Sequence, residues 1–207
     1  MRISERAKQE TRFRILERGA ELFVCKGFDA TTTRDIALAA GLAAGTMFNY
    51  FPSKETLAMT MVTEALNQGT EDFKRRRLGK EGLTEELFLF ITSGLRRLRP
   101  FRSFLGPVLE RSLSPFPRKT VCQEGEAARS SHLAEVQAII SCHGFTTVPD
   151  YVAMTMYWSL YLGILAYWTN DESPQQDDTK GLIDYSLQFF VQVISGNGTN
   201  TGGVHAE

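Results

Sequence analysis

Six side chains between positions 33 and 54 carry groups suited to a polyanion: Thr33, Arg34, Thr46, Asn49, Tyr50 and Lys54. Hydroxyl, amide and cationic groups hydrogen-bond phosphate oxygens, and a carboxamide pairs bidentately with adenine, so Asn49 is the candidate for reading a base edge. Ala44 and Gly45 stand beside them and offer only apolar contact or close backbone approach. Phe48 has two readings, buried core or groove contact. Such groups read a duplex only when a short helix presents them at a fixed angle.

Enzyme chemistry is not signalled in the same way. The chain has no Gly-rich phosphate loop, no nucleophile elbow and no HExxH, and it contains three His in total. Cys122, His132, Cys142 and His143 are too irregularly spaced for a zinc site, so no metal and no cofactor is expected, and the thiols are expected to be buried.

Helical periodicity dominates the sequence, and alternating Val/Ile/Thr runs are almost missing, which predicts an all-α fold. A first helix is expected from the Ser4 cap to Lys26, with Phe13, Leu16, Ala20 and Phe23 as its buried stripe and Gly27 as its stop. Thr33 is placed to cap a short helix to Ala40, Gly41 ends it, and a second short helix spans about Ala44 to Tyr50. Ser53 caps a longer helix that follows. Ile36, Ala37, Ala40, Leu42 and Met47 supply the small core that fixes the two short helices as a helix-turn-helix.

These residues carry a resemblance. Ile15-Leu16, Leu22-Phe23, Gly27, TTTRDIA, AGLAAGTMFNYF and the SKETL that begins at Ser53 together resemble the DNA-binding domain of TetR-family (tetracycline-repressor-like) transcriptional regulators over residues 12 to 57. The resemblance implies that Thr33 and Arg34 touch phosphate or the groove edge. It places Ala44, Gly45, Thr46, Phe48, Asn49 and Tyr50 on the recognition helix and sets Lys54 on a phosphate. Two positions depart from the family pattern. Ala43 stands where Ser or Thr commonly caps the recognition helix, a loss of about 1 kcal/mol, and Phe48 stands where Tyr commonly offers a hydroxyl.

One such helix reaches one major groove, so selective binding requires a homodimer and a palindromic operator with half-sites roughly 34 to 36 Å apart. The resemblance assigns the dimer interface to the last two long helices, here about Pro149 to Asn170 and Thr179 to Ile194. The first of these contains the uncharged run Tyr151 to Trp168, but its flanks, Asp150 and Asp171-Glu172, lack the basic anchors of a membrane span, and Thr155, Ser159 and Gly163 form a small-residue stripe. No membrane partner is expected. Phe104, Met154, Tyr157, Trp158, Tyr161 and Trp168 are the candidates for an effector cavity, which favours a small apolar or aromatic ligand.

The expected organisation is a helix-turn-helix domain over 1–53, a helical effector-binding and dimerisation domain over 54–195, and a disordered tail over 196–207 rich in Gly and Asn. Charge supports the division. Residues 1–54 carry nine Lys/Arg and six Asp/Glu, or +3, whereas the rest carry fourteen and eighteen, or −4, giving the overall −1. The run Lys74-Arg75-Arg76-Arg77 reads as a solvated helix end. With three cysteines and a charged N-terminus, the chain is expected in the reducing cytoplasm. The implied function is that of an effector-released repressor; the alternative is an architectural or division-site DNA-binding factor without an effector.

Overall fold

The computed structural model describes residues 4–113, 122–145 and 148–196. Among them every regular element is helical: α1 (Glu5–Lys26), α2 (Thr33–Ala39), α3 (Ala44–Phe48), α4 (Lys54–Arg76), α5 (Leu83–Leu98), α6 (Arg102–Ser112), α7 (Gln123–Cys142), α8 (Asp150–Asn170) and α9 (Asp177–Ile194). Short 3-10 turns at Arg99–Phe101 and Pro174–Gln176 lead into α6 and α9. The all-α expectation holds, with helix ends displaced by a few residues. Of the expected tail only Gly196 falls within the described residues.

Packing divides the chain into two compact units. The first comprises Met1–Glu71 and Gly94–Ser130, and the second Asp72–Ser93 and Ser131–Glu207. The first is wider than the 1–53 segment expected to read DNA, because α1 is closed by α4 and α6 as well as by the two short helices.

In the first unit, the Ser4 hydroxyl caps α1 by accepting from the Ala7 amide at 3.2 Å. The buried face of α1 is Ile15, Leu16, Gly19 and Phe23, and Phe13, expected in that stripe, is 65% exposed. Gly19 is part of the buried face because of its neighbour on α4. A Cβ there would stand 2.7 Å from Leu57 Cδ2, so the absence of a side chain lets α4 approach α1 at this point. Gly27 takes φ +86°, a backbone that few other residues adopt, and turns the chain so that Phe28 packs on Phe23 at 5.0 Å. Phe104 of α6 reaches Phe23 at 5.2 Å and completes the cluster. At the edge, Arg12 bonds Glu64 at 2.9 Å and lies over the Phe51 ring.

In the second unit α8 and α9 pack as a pair. Tyr157, Trp158, Tyr161, Ile164, Leu165 and Trp168 are buried on α8, and Ile183, Leu187, Phe190 and Ile194 on α9. Tyr157 meets Phe190 edge-on at 5.7 Å. Asp171, in the connection, accepts from the Ser173 and Thr179 amides and the Thr179 hydroxyl, and these bonds hold its carboxyl well below the usual carboxylate range. Among the described residues no helix is long and apolar enough to cross a membrane. The basic run at the end of α4 is exposed and engaged with acids: Lys74 with Glu135 at 3.1 Å, Arg75 with Asp72, and Arg77 with Glu86 at 3.2 Å. The thiols depart from expectation, because Cys25 and Cys142 are exposed and Cys122 is half-buried.

Candidate nucleic-acid interface

The reading segment is built from α2 upward. Thr32, not Thr33, is the N-cap: its hydroxyl accepts from the Asp35 amide at 3.1 Å, and the Asp35 carboxylate accepts from the Thr32 amide at 3.0 Å. The reason is spacing, since a reciprocal capping box needs the acid three residues beyond the cap, and Asp35 stands at that distance from Thr32. Lys26 donates to the same carboxylate at 2.6 Å. Bonds from Lys26 and Thr32 together lower the Asp35 pKa to about 2. Thr33 is thereby released from capping and lies half-buried in the first turn beside exposed Arg34.

Gly41 turns the chain at φ +68°, and the Leu42 amide donates to the Ala37 carbonyl at 2.9 Å, closing the turn onto α2. Helix α3 follows with Ala43 at its N-cap and no side-chain bond there, the loss anticipated from the sequence. Ile36, Ala37, Ala40 and Met47 are buried as expected, with Leu42 half-buried at the edge. Because Met47 faces inward, helical periodicity turns positions 45, 48 and 49 away from it, and Ala44 lies at the open N-terminal edge. Ala44, Gly45, Phe48 and Asn49 are all exposed, which excludes the core reading of Phe48, itself 49% exposed. Thr46 and Tyr50 are half-buried at the sides.

Lys54 stands apart from the other expected DNA contacts. Its ammonium donates to the carbonyl oxygens of Phe28, Asp29 and Thr31 at 2.7, 3.1 and 3.0 Å and lies 4.6 Å from the centre of the Phe28 ring. All three N–H groups are thus committed to the loop between α1 and α2. Arg111 of α6 braces the same loop, bonding Asp29 at 2.7 Å and Glu55 at 3.4 Å. Nothing local in the sequence marks Arg111, because its partners lie 82 and 56 residues away.

The expected effector residues separate into two groups. Phe104 belongs to the first unit, packed on Phe23 and Phe101. Tyr157, Trp158 and Tyr161 of α8 gather in the second unit around His132 of α7, Trp168 is buried further along α8, and Met154 is half-buried. His132 bonds the Tyr157 hydroxyl at 3.0 Å, stacks on Tyr161 at 4.2 Å and touches Phe90 at 4.8 Å. Burial lowers its pKa to about 3 and raises those of both tyrosines, so the cluster is neutral. The irregular spacing that sets His132 aside as a zinc ligand leaves it without a role; its position four and seven residues before buried Val136 and Ile139 is the sign that it belongs to the apolar face of α7. Among the described residues no group of three His, Cys, Asp or Glu is placed to hold a metal ion.

Comparison with known proteins agrees with this architecture. Residues 15–59 match the model of the family described as bacterial regulatory proteins, tetR family. The chain is 40% identical over 190 residues to the HTH-type transcriptional repressor KstR2 of Rhodococcus jostii (strain RHA1), covering 88% of this chain and 74% of that protein. Similar solved structures include Thermus thermophilus FadR, a TetR-family repressor in complex with lauroyl-CoA, at TM-score 0.65 and 20% identity over 95% of this chain and 99% of that one. A TetR regulator from Rhodococcus sp. RHA1 aligns at TM-score 0.65 and 19% identity, covering 89% and 97%. From the capped helix-turn-helix to the helical body, this chain belongs to the TetR family of transcriptional regulators.

Proposed function

We propose that the protein is a homodimeric repressor that binds a palindromic operator through α3 and is released by a small apolar or aromatic effector. The observation that carries this reading is the outward face of α3, with Ala44, Gly45, Phe48 and Asn49 exposed above a buried Met47, α2 started by a capping box and the turn fixed by a positive-φ glycine and the Leu42–Ala37 bond. Residues 1–53 do the reading in this scheme, with Thr33, Arg34, Thr46 and Tyr50 on phosphates or groove edges, and 54–195 dimerise and bind the effector. Lys54 acts indirectly, by holding the loop that aims α2.

Dimerisation is supported by the exposed apolar and small residues that α8 and α9 share: Tyr151, Thr155, Ser159, Gly163 and Tyr167 on one helix, Tyr185 and Phe189 on the other. A Cβ at Gly163 meets nothing within 4 Å, so this face has room for a close partner helix. The effector reading draws on the aromatic second unit and on the lauroyl-CoA held by the Thermus thermophilus neighbour. An acyl chain is therefore the first ligand class to test.

Selection of bound duplexes from a random pool, followed by gel-shift titration with acyl ligands, tests the scheme. An enriched palindrome that is released on adding ligand is the expected result. Asn49→Ala should relax the sequence preference while binding persists; an unchanged preference would remove Asn49 from base reading. A pool with no enrichment refutes operator binding itself.

A further inference from the structure

From Ile36 through Ser53 the chain carries no Asp, Glu, Lys, Arg or His, although this stretch holds the whole turn and α3. Guanine in the major groove is most often read by Arg or Lys, bidentate to its two acceptors, and the reading face has neither. What that face does offer is a methyl group at Ala44, a bare backbone at Gly45, a phenyl ring at Phe48 and one carboxamide at Asn49. Ala44 and Phe48 are four residues apart and so lie along one line of the helix, with Gly45 and Asn49 on the adjacent line.

We propose that this helix reads its half-site chiefly through A·T pairs, Phe48 and Ala44 packing against thymine C5-methyl groups while Asn49 pairs with adenine. The inference rests on the operator-binding reading and adds which base chemistry is recognised. Thymine is the base that presents a methyl in the major groove, which makes it the complement of an uncharged apolar line. The exposure of Phe48 fits the same role. A phenyl ring half open to water on a surface otherwise built for polar contact becomes covered when that methyl edge closes over it. Cationic contacts to phosphate are left to groups outside the stretch, and Arg14 and Arg34 are exposed cations of this unit with no acid partner among the described residues.

The test alters the DNA and leaves the protein intact. Duplexes of the best selected sequence are made with each thymine of the half-site replaced in turn by uracil, which lacks only the methyl, and affinity for the full-length protein is measured by fluorescence anisotropy at fixed salt. At one or two positions uracil should weaken binding roughly threefold to fourfold per methyl removed, and about tenfold when both half-sites are changed. Phe48→Ala should abolish the difference between thymine and uracil at one of those positions, with circular dichroism checking that the helices remain. Equal affinity for uracil at every position, or a selected half-site whose core is G·C, overturns the proposal while leaving operator binding intact. A pool without any enriched sequence overturns both.

Discussion

Lys54→Met separates two roles that one cation can have in a DNA-binding head. The wild-type ammonium donates to three carbonyls of the loop between α1 and α2, at 2.7, 3.1 and 3.0 Å, and sits on the Phe28 ring. Hydrogen bonds to a charged group contribute about 1.5–3 kcal/mol when desolvated. Here the site is half open, so water can replace part of what is lost, and the set is worth about 2 kcal/mol. For a chain of this size that corresponds to a fall in Tm of about 5 °C, read by circular dichroism. The second measurement is the slope of log affinity against log salt. A lysine on a phosphate contributes about 0.9 to that slope, or nearly 2 across a dimer, whereas a lysine spent on carbonyls contributes nothing. The expected variant is less stable, binds all operators more weakly and keeps the wild-type slope. An unchanged Tm with a slope reduced by about 2 would refute the internal role.

Three further substitutions probe other contacts. Thr32→Ala should cost about 1 kcal/mol through loss of the capping box, whereas Thr33→Ala should leave thermal stability nearly unchanged and act on DNA affinity alone; equal destabilisation would contradict the cap assignment. His132 is neutral in the fold with its pKa lowered to about 3, and in the unfolded chain it charges near 6.5. The unfolded state therefore binds the extra proton, and the contribution of His132 to stability is complete above pH 6.5 and falls as pH drops toward 3, by about 2 kcal/mol at pH 5. His132→Phe should flatten that part of the stability profile, and an unaltered slope between pH 6.5 and 5 would show that another group sets it. Phe189→Asp should shift the protein toward monomer in analytical ultracentrifugation and weaken operator binding at least tenfold; a dimer unaffected by the charge would move the interface elsewhere.

Much of the head was legible because its signals are local. Ser4, Gly27, Gly41 and Ser53 act within three or four residues of their own position, and the core of Ile36, Ala37, Ala40 and Met47 follows from helical spacing alone. What eluded the sequence depends on partners distant in the chain. The buried face of α1 at Gly19 depends on Leu57, 38 residues away, while Phe13, an apolar residue at a plausible spacing, lies in water. His132 looks like a ligand in isolation and becomes an apolar-face residue only when Phe90, Tyr157 and Tyr161 surround it. Phe104 and Tyr157 share a composition but not a unit, a separation that aromatic content does not encode.

The same distinction changes what the +3 of residues 1–54 means. Charge counted along the chain treats each Lys and Arg as available to phosphate, yet most of those in the head have internal uses. Arg6, Lys8, Arg18 and Lys26 pair with Glu10, Glu5, Glu21 and Asp35, Arg12 pairs with Glu64, and Lys54 is held by carbonyls. Exposed pairs exchange readily with solvent and with other anions, so the first four retain some attraction for DNA. Lys54 is more firmly committed, because leaving its site would break three hydrogen bonds to the Phe28, Asp29 and Thr31 carbonyls. In the proposed scheme the basic residues of this head therefore divide between aiming the recognition helix and meeting the backbone, and the uncharged stretch from 36 to 53 leaves base selection to shape, methyl contact and a single amide.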